Sequence, residues 1–130
     1  MRIIRTETDK PTTEAIAIAG KLIPFRAPHW TTGVHGLTAE LRLAAGGVLY
    51  LDNAAEFRFS QVEGLAQVIE QGGALPLAVI VDTLDPFRAG GGEPDSKASE
   101  TYRARLDFIV ALLEQAANVA AENRKPAFGS

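Results

Sequence analysis

Apolar residues fall along this chain in two kinds of run. Val48-Leu49-Tyr50-Leu51 and Leu77-Ala78-Val79-Ile80-Val81 are unbroken, and each ends in an acid, Asp52 and Asp82. Short uninterrupted runs of this kind predict strands covered on both faces in a parallel sheet. Between them Val62, Leu65, Ala66, Val68 and Ile69 recur at helical spacing, which predicts a helix over Ser60 to Gln71 with Ser60 as cap and Gly72-Gly73 as stop. Two strands joined by such a helix form a right-handed βαβ unit. A second stripe, Leu106, Ile109, Val110, Leu113, Ala117 and Ala120, predicts a long amphipathic helix from Ser99 to Asn123.

The first third of the chain is less regular. Arg2 to Thr6 is short and apolar at its centre, followed by the polar Glu7 to Pro11, and reads as a strand leading into a loop. A helix should follow, capped by Thr12 or Thr13, with Ala15, Ile16, Ala19 and Leu22 on one face and a weak end at Gly20. Pro24 and Pro28 push the residues before them toward extended geometry, so Ile23 to Ala27 reads as extended. His29 to Gly36 reads as a loop, and Thr38 to Ala44 fits a short helix or a hairpin arm equally well. Asp85 to Lys97, with Gly90-Gly91-Gly92 and Pro94, reads as a flexible loop. The fold class expected is α/β: a small three-layer domain with a mainly parallel sheet of three or four strands, spanning residues 1–123, with 124–130 as a flexible tail.

Composition narrows the function classes. A chain of 130 residues, 46% hydrophobic, suits one domain with a real core and leaves no room for a second. Thirteen basic against 16 acidic side chains give a formal charge of −3, too balanced for the electrostatic footprint of a nucleic-acid binder. Direct nucleic-acid binding is not expected. With no cysteine there is no disulfide, thiolate metal site or thiol nucleophile. Met1 to Arg5 turns polar too soon for a signal peptide, and no run approaches the roughly 20 apolar residues of a membrane span. A cytoplasmic protein is expected.

Ligands of open parallel sheets gather at the carboxyl ends of the strands, which makes Asp52 the first candidate. An acid after an apolar strand is the pattern that holds magnesium beside a nucleotide, and it also serves as a plain cap of the following loop. A phosphate-binding loop needs glycines followed by Lys and Ser or Thr after the first strand. Here Asp9-Lys10-Pro11-Thr12-Thr13 has no glycine, its proline removes an amide donor, and Asp9 repels phosphate. His29 and His35 with Asp52 under-supply a tetrahedral metal site. Arg103 and Arg105 point apart on one helical turn, and Trp30 beside His29 is the aromatic best placed to touch a partner. No serine sits in a Gly-x-Ser-x-Gly turn and there is no cysteine, so nucleophilic catalysis has little to work with.

Pro24-Phe25-Arg26-Ala27-Pro28-His29 resembles a signature of the magnesium-chelatase-like AAA+ ATPases, a family that includes competence-associated, helicase-like bacterial proteins. The likeness continues in order. Gly46 to Asp52 is similar to the Walker B strand, Ala55-Glu56-Phe57 to the segment after it, Gln61 to Gly72 to the next helix, and Leu77 to Pro86 to the sensor 1 strand. Tyr102-Arg103-Ala104-Arg105-Leu106 resembles a tyrosine-arginine-x-arginine-leucine stretch further on, so the likeness covers about residues 12–110. It implies a truncated P-loop NTPase core, a ring assembly with ATP sites between subunits, Asp52 as the magnesium contact, and Asn53 and Asp85 beside the nucleotide. The departures from the family bear on catalysis. Walker A is absent, Asn53 stands where the family has a glutamate that orients the attacking water, and Asp85 stands at the sensor 1 asparagine. After Leu106 the chain reads Asp107-Phe108-Ile109-Val110 where the family continues toward its finger arginine and lid domain.

The reading that follows is a non-catalytic pseudo-ATPase, an interaction module that binds itself or a full-length AAA+ relative. Its surface would include Arg26, His29, Trp30, Tyr102, Arg103 and Arg105. No cofactor is expected. The alternative is an Mg·ATP-binding or ATPase subunit in which Asp52 and Asp85, with His29 or Arg26, form a site completed in trans by another chain. A remnant without a present role is a third reading. Unless Arg2 to Thr6 supplies a neighbouring strand, the strand through Val79 would expose an apolar edge, and dimerisation through that edge is the expected route to self-association.

Overall fold

The structure, a computed structural model, describes residues 1–7, 10–85 and 97–124. The expected loop from Asp85 to Lys97 therefore falls mostly outside the described residues, as do Thr8, Asp9 and the tail from 125. The elements in chain order are β1 (Arg2–Thr6), α1 (Pro11–Ala19), β2 (Phe25–Arg26), α2 (Val34–Leu43), β3 (Val48–Leu51), a short 3-10 helix (Ala54–Glu56), α3 (Phe59–Gln71), β4 (Ala78–Asp82) and α4 (Lys97–Arg124). The domain is α/β, with all four strands parallel in the order β1-β4-β3-β2.

This order settles the question of the edge. β1 lies along β4 with Arg2 opposite Ala78 and Thr6 opposite Asp82, so β4 is an interior strand. The expected dimerisation through an exposed Val79 edge is corrected: Val79 is fully buried between β1 and β3. Period-2 alternation sorts the sheet residues between two layers. Leu49, Leu51, Val79 and Val81 face α2, α3 and α4, in the core that also holds Leu37, Leu41, Phe57, Leu65, Leu106 and Leu113. Val48, Tyr50 and Ile80 face the other way, onto Ala15 of α1, with Ile4, Ile18 and Phe25 around them. Among the described residues, one helix covers that face and three cover the other.

Several local expectations are corrected by backbone geometry. α1 starts at Pro11, with Lys10 before it, and not after a Thr12 or Thr13 cap; proline suits a first turn whose N–H groups lack helical partners. It ends at Ala19 because Gly20 turns left-handed at φ 70° and its N–H donates to Ile16 O, so Leu22 leaves the apolar face and is 83% exposed. α2 begins inside the expected His29–Gly36 loop and settles Thr38 to Leu43 as helix. α3 starts at Phe59, ahead of the Ser60 cap, because Gln61 Oε1 accepts the Arg58 N–H at 2.6 Å. β2 is only two residues long and is pinned to β3 by Val48 N–H donating to Pro24 O at 2.8 Å. Gly47 permits that approach, since a Cβ there would lie 1.8 Å from Pro24 O. No helix among the described residues is long and apolar enough to cross a membrane.

Candidate functional site

The carboxyl ends of β3 and β4 lie side by side, with Leu51 opposite Val81, so Asp52 and Asp82 leave the sheet as neighbours. Their surroundings separate their roles. Asp82 is buried and accepts two hydrogen bonds, from Tyr50 Oη at 2.8 Å and from Leu84 N–H at 2.9 Å. It closes the sheet end onto its own loop. Burial, then that bond to Asp82, pushes the Tyr50 phenol well above its ordinary range. Asp52 is exposed and opens into a cleft of about 220 Å³ with Pro11, Pro28, His29, Trp30 and Asn53.

Asn53 adopts the left-handed region, φ 53° and ψ 46°, as it leads into the 3-10 helix. Asparagine tolerates this conformation better than most non-glycine residues, so Asn53 suits the turn after β3. Asp85 is turned inward, where Ser99 Oγ donates to its Oδ2 and so ties the chain after β4 to the first turn of α4. Tyr102 follows on the same helix, buried, with its hydroxyl donating to Leu84 O at 3.2 Å. Burial and then the charges of Asp82, Asp85, Asp52 and Glu56 push this phenol up to about 12. Four carboxylates thus surround the carboxyl end of the sheet.

The remaining candidates are dispersed. Arg26 lies on the opposite layer of β2 and holds Glu40 of α2 in a fork, Nε to Oε2 at 2.5 Å and Nη2 to Oε1 at 2.8 Å. The guanidinium keeps the Glu40 carboxyl below its usual range, and Glu40 raises Arg26. Arg105 donates to Phe57 O at 2.6 Å, fixing α4 to the segment before α3. Arg103 is exposed on α4. His29 Nδ1 accepts the Thr31 N–H at 3.3 Å, and its ring lies 5.3 Å from the half-exposed Trp30. The structure therefore joins Asp52, Asn53, His29 and Trp30 in one cleft and leaves Arg26, Asp85, Tyr102, Arg103 and Arg105 outside it. His35 sits apart on α2. Among the described residues no group of three His, Cys, Asp or Glu side chains is placed to hold a metal ion.

Gln61 was not among the expected site residues, yet it holds the cleft's outer wall. It is 4% exposed, and its Nε2 donates to Thr32 O and, at 3.4 Å, to Trp30 O. Glutamine at the third position of a helix is the sequence signal of a capping box, here serving a loop as well as the helix start. The sequence pattern marks Tyr50 only as strand core; its bond to Asp82 depends on the β3–β4 register. Pro11, the first residue of α1, lines the same cleft. Comparison of the chain with protein-family models, with curated proteins and with solved structures gives no match.

Proposed function

We propose that the protein is a non-catalytic interaction module, built on a truncated AAA+-like core, that binds itself or a full-length AAA+ relative in the cytoplasm. One observation carries the reading. At the carboxyl edge, where a parallel sheet takes its ligands, α1 opens on Pro11 and the cleft that Pro11 lines presents Asp52. A phosphate chain there would meet a proline without an N–H, a connection with no glycine and a field of carboxylates. Binding is left to outer surfaces, among which Trp30 at 42% exposure and the Phe59 and Phe108 rings stand out. Co-elution with itself or with a full-length relative supports the reading; a strictly monomeric protein that captures no relative overturns it.

The exposure of Asp52 favours a second reading, in which the cleft holds magnesium and a nucleotide with groups supplied by another chain. That site needs no metal cage of its own, because magnesium takes one or two carboxylates plus phosphate oxygens. If the protein, alone or with a relative, binds Mg·ATP and the Asp52→Asn variant binds it equally well, this second reading fails.

A further inference from the structure

We infer that α4 carries a two-fold, self-complementary seam through which two copies of this chain pair antiparallel, helix on helix. The inference rests on the interaction-module reading and names its surface. Phe59 and Phe108 are 55% and 54% exposed, and their rings lie 5.9 Å apart beside an apolar cleft of about 440 Å³ walled by Phe57, Val62, Ala104 and Ile109. Single exposed apolar residues are ordinary, but a contiguous aromatic patch with an apolar cleft beside it marks a contact surface.

The helix itself selects the occupant. From Lys97 to Glu122, positions spaced alternately four and three residues apart are all exposed and lie along one line on the side of α4 away from the core. Such spacing keeps a stripe facing a partner helix over many turns. A two-fold axis across the midpoint between Ile109 and Val110 sets Phe108 over Ala111 of the second copy and Ala104 over its Gln115, a large residue against a small one at the centre. The same axis brings Lys97 onto Glu122 of the second copy, once at each end. Neither charge has an ion pair with another described residue of its own chain. Beyond the axis the exposed charges up to Asn123 are Glu114 and Glu122, whereas the first half holds Lys97, Arg103 and Arg105 against Glu100 and an Asp107 already bound to Arg5. Parallel pairing would set like halves together; antiparallel pairing sets the basic half over the acidic one and opposes the two helix dipoles. At 28 residues α4 is about 42 Å long, enough for a contact of the size that specific dimers require.

The test is sedimentation equilibrium of the full chain across micromolar concentrations. The parent should dimerise, and Phe108→Glu should weaken dimerisation by at least roughly tenfold, since it sets an unpaired charge in the centre of the seam. Lys97→Glu and Glu122→Lys should each weaken it several-fold, roughly the scale of exposed ion pairs counted twice, and the double variant should restore it. Circular dichroism of each variant confirms that the helices are retained. A parent that stays monomeric overturns the seam, as does a dimer indifferent to Phe108→Glu or a double charge exchange without rescue. These results leave the interaction-module reading to capture of a relative, so the two fail separately.

Discussion

Replacing Gln61 by leucine tests how the cleft wall is held. The side chain is 4% exposed and satisfies three backbone groups at once: the Arg58 N–H at the start of α3, and the Trp30 and Thr32 carbonyls of the loop before α2. Leucine keeps the volume and adds apolar contact but leaves those groups without their partner. Each buried polar group so stranded costs about 1–3 kcal/mol, reduced where water reaches the loop, so Gln61→Leu should destabilise the protein by about 2–4 kcal/mol. For a chain of this size that corresponds to a fall in Tm of about 10 °C. Trp30 is the only tryptophan, so the same sample reports the loop directly. Its emission should shift in the folded variant as the loop loosens while far-ultraviolet circular dichroism holds. Gln61→Glu should behave alike, because it keeps the acceptor for Arg58 but turns an oxygen toward the Thr32 carbonyl. A Gln61→Leu protein that melts within 2 °C of the parent with an unchanged Trp30 spectrum refutes the clamp.

Other perturbations follow from the packing and the charges. Gly47→Ala sets a Cβ against the Pro24 carbonyl and should cost beyond about 3 kcal/mol or prevent folding, read by urea unfolding; an ordinary loss below about 1 kcal/mol would mean that β2 does not approach β3 as described. The Glu40 carboxyl is held low in the fold by Arg26, so its contribution is present above its unfolded value of 4.5 and lost as pH falls through the lower folded value. Glu40→Gln should therefore flatten the dependence of the urea midpoint on pH below about 5. Tyr50 and Tyr102 have the opposite sign, with phenols held protonated by the fold. Stability should be full below about pH 10 and fall as pH rises toward the folded values, about 12 for Tyr102; Tyr102→Phe should make that fall shallower.

What the sequence revealed depended on how local the determining forces are. The strands β3 and β4 were legible because residues buried on both faces leave an unbroken apolar run, and α3 and α4 because one buried stripe repeats at helical spacing. The start of α2 was hidden by Gly33 and Gly36, which read as loop residues. Gly36 in fact sits in the first turn of the helix, where a Cβ would lie 2.7 Å from Thr32 Cγ2. Leu22 matched the helical stripe, but the left-handed Gly20 ended the helix before it. The place of β1 beside β4 is a long-range pairing that no local pattern specifies.

The site divided in the same way. Asp52 at a strand end was legible from the apolar run before it, and its cleft with His29 and Trp30 needs only the parallel topology. The inward turn of Asp85 onto Ser99, the Tyr50–Asp82 bond and the fork of Arg26 on Glu40 were not legible. Each joins residues brought together by register or helix packing, and each converts a residue that reads as chemical into one that holds the fold.

The most direct test of the central claim is a calorimetric titration of the purified chain with Mg·ATP and Mg·ADP. With Pro11 and Asp52 lining the cleft at the carboxyl edge of the sheet, the account predicts no saturable heat at millimolar nucleotide. Saturable binding that disappears in Asp52→Asn would contradict it and return the carboxyl edge of the sheet to nucleotide chemistry.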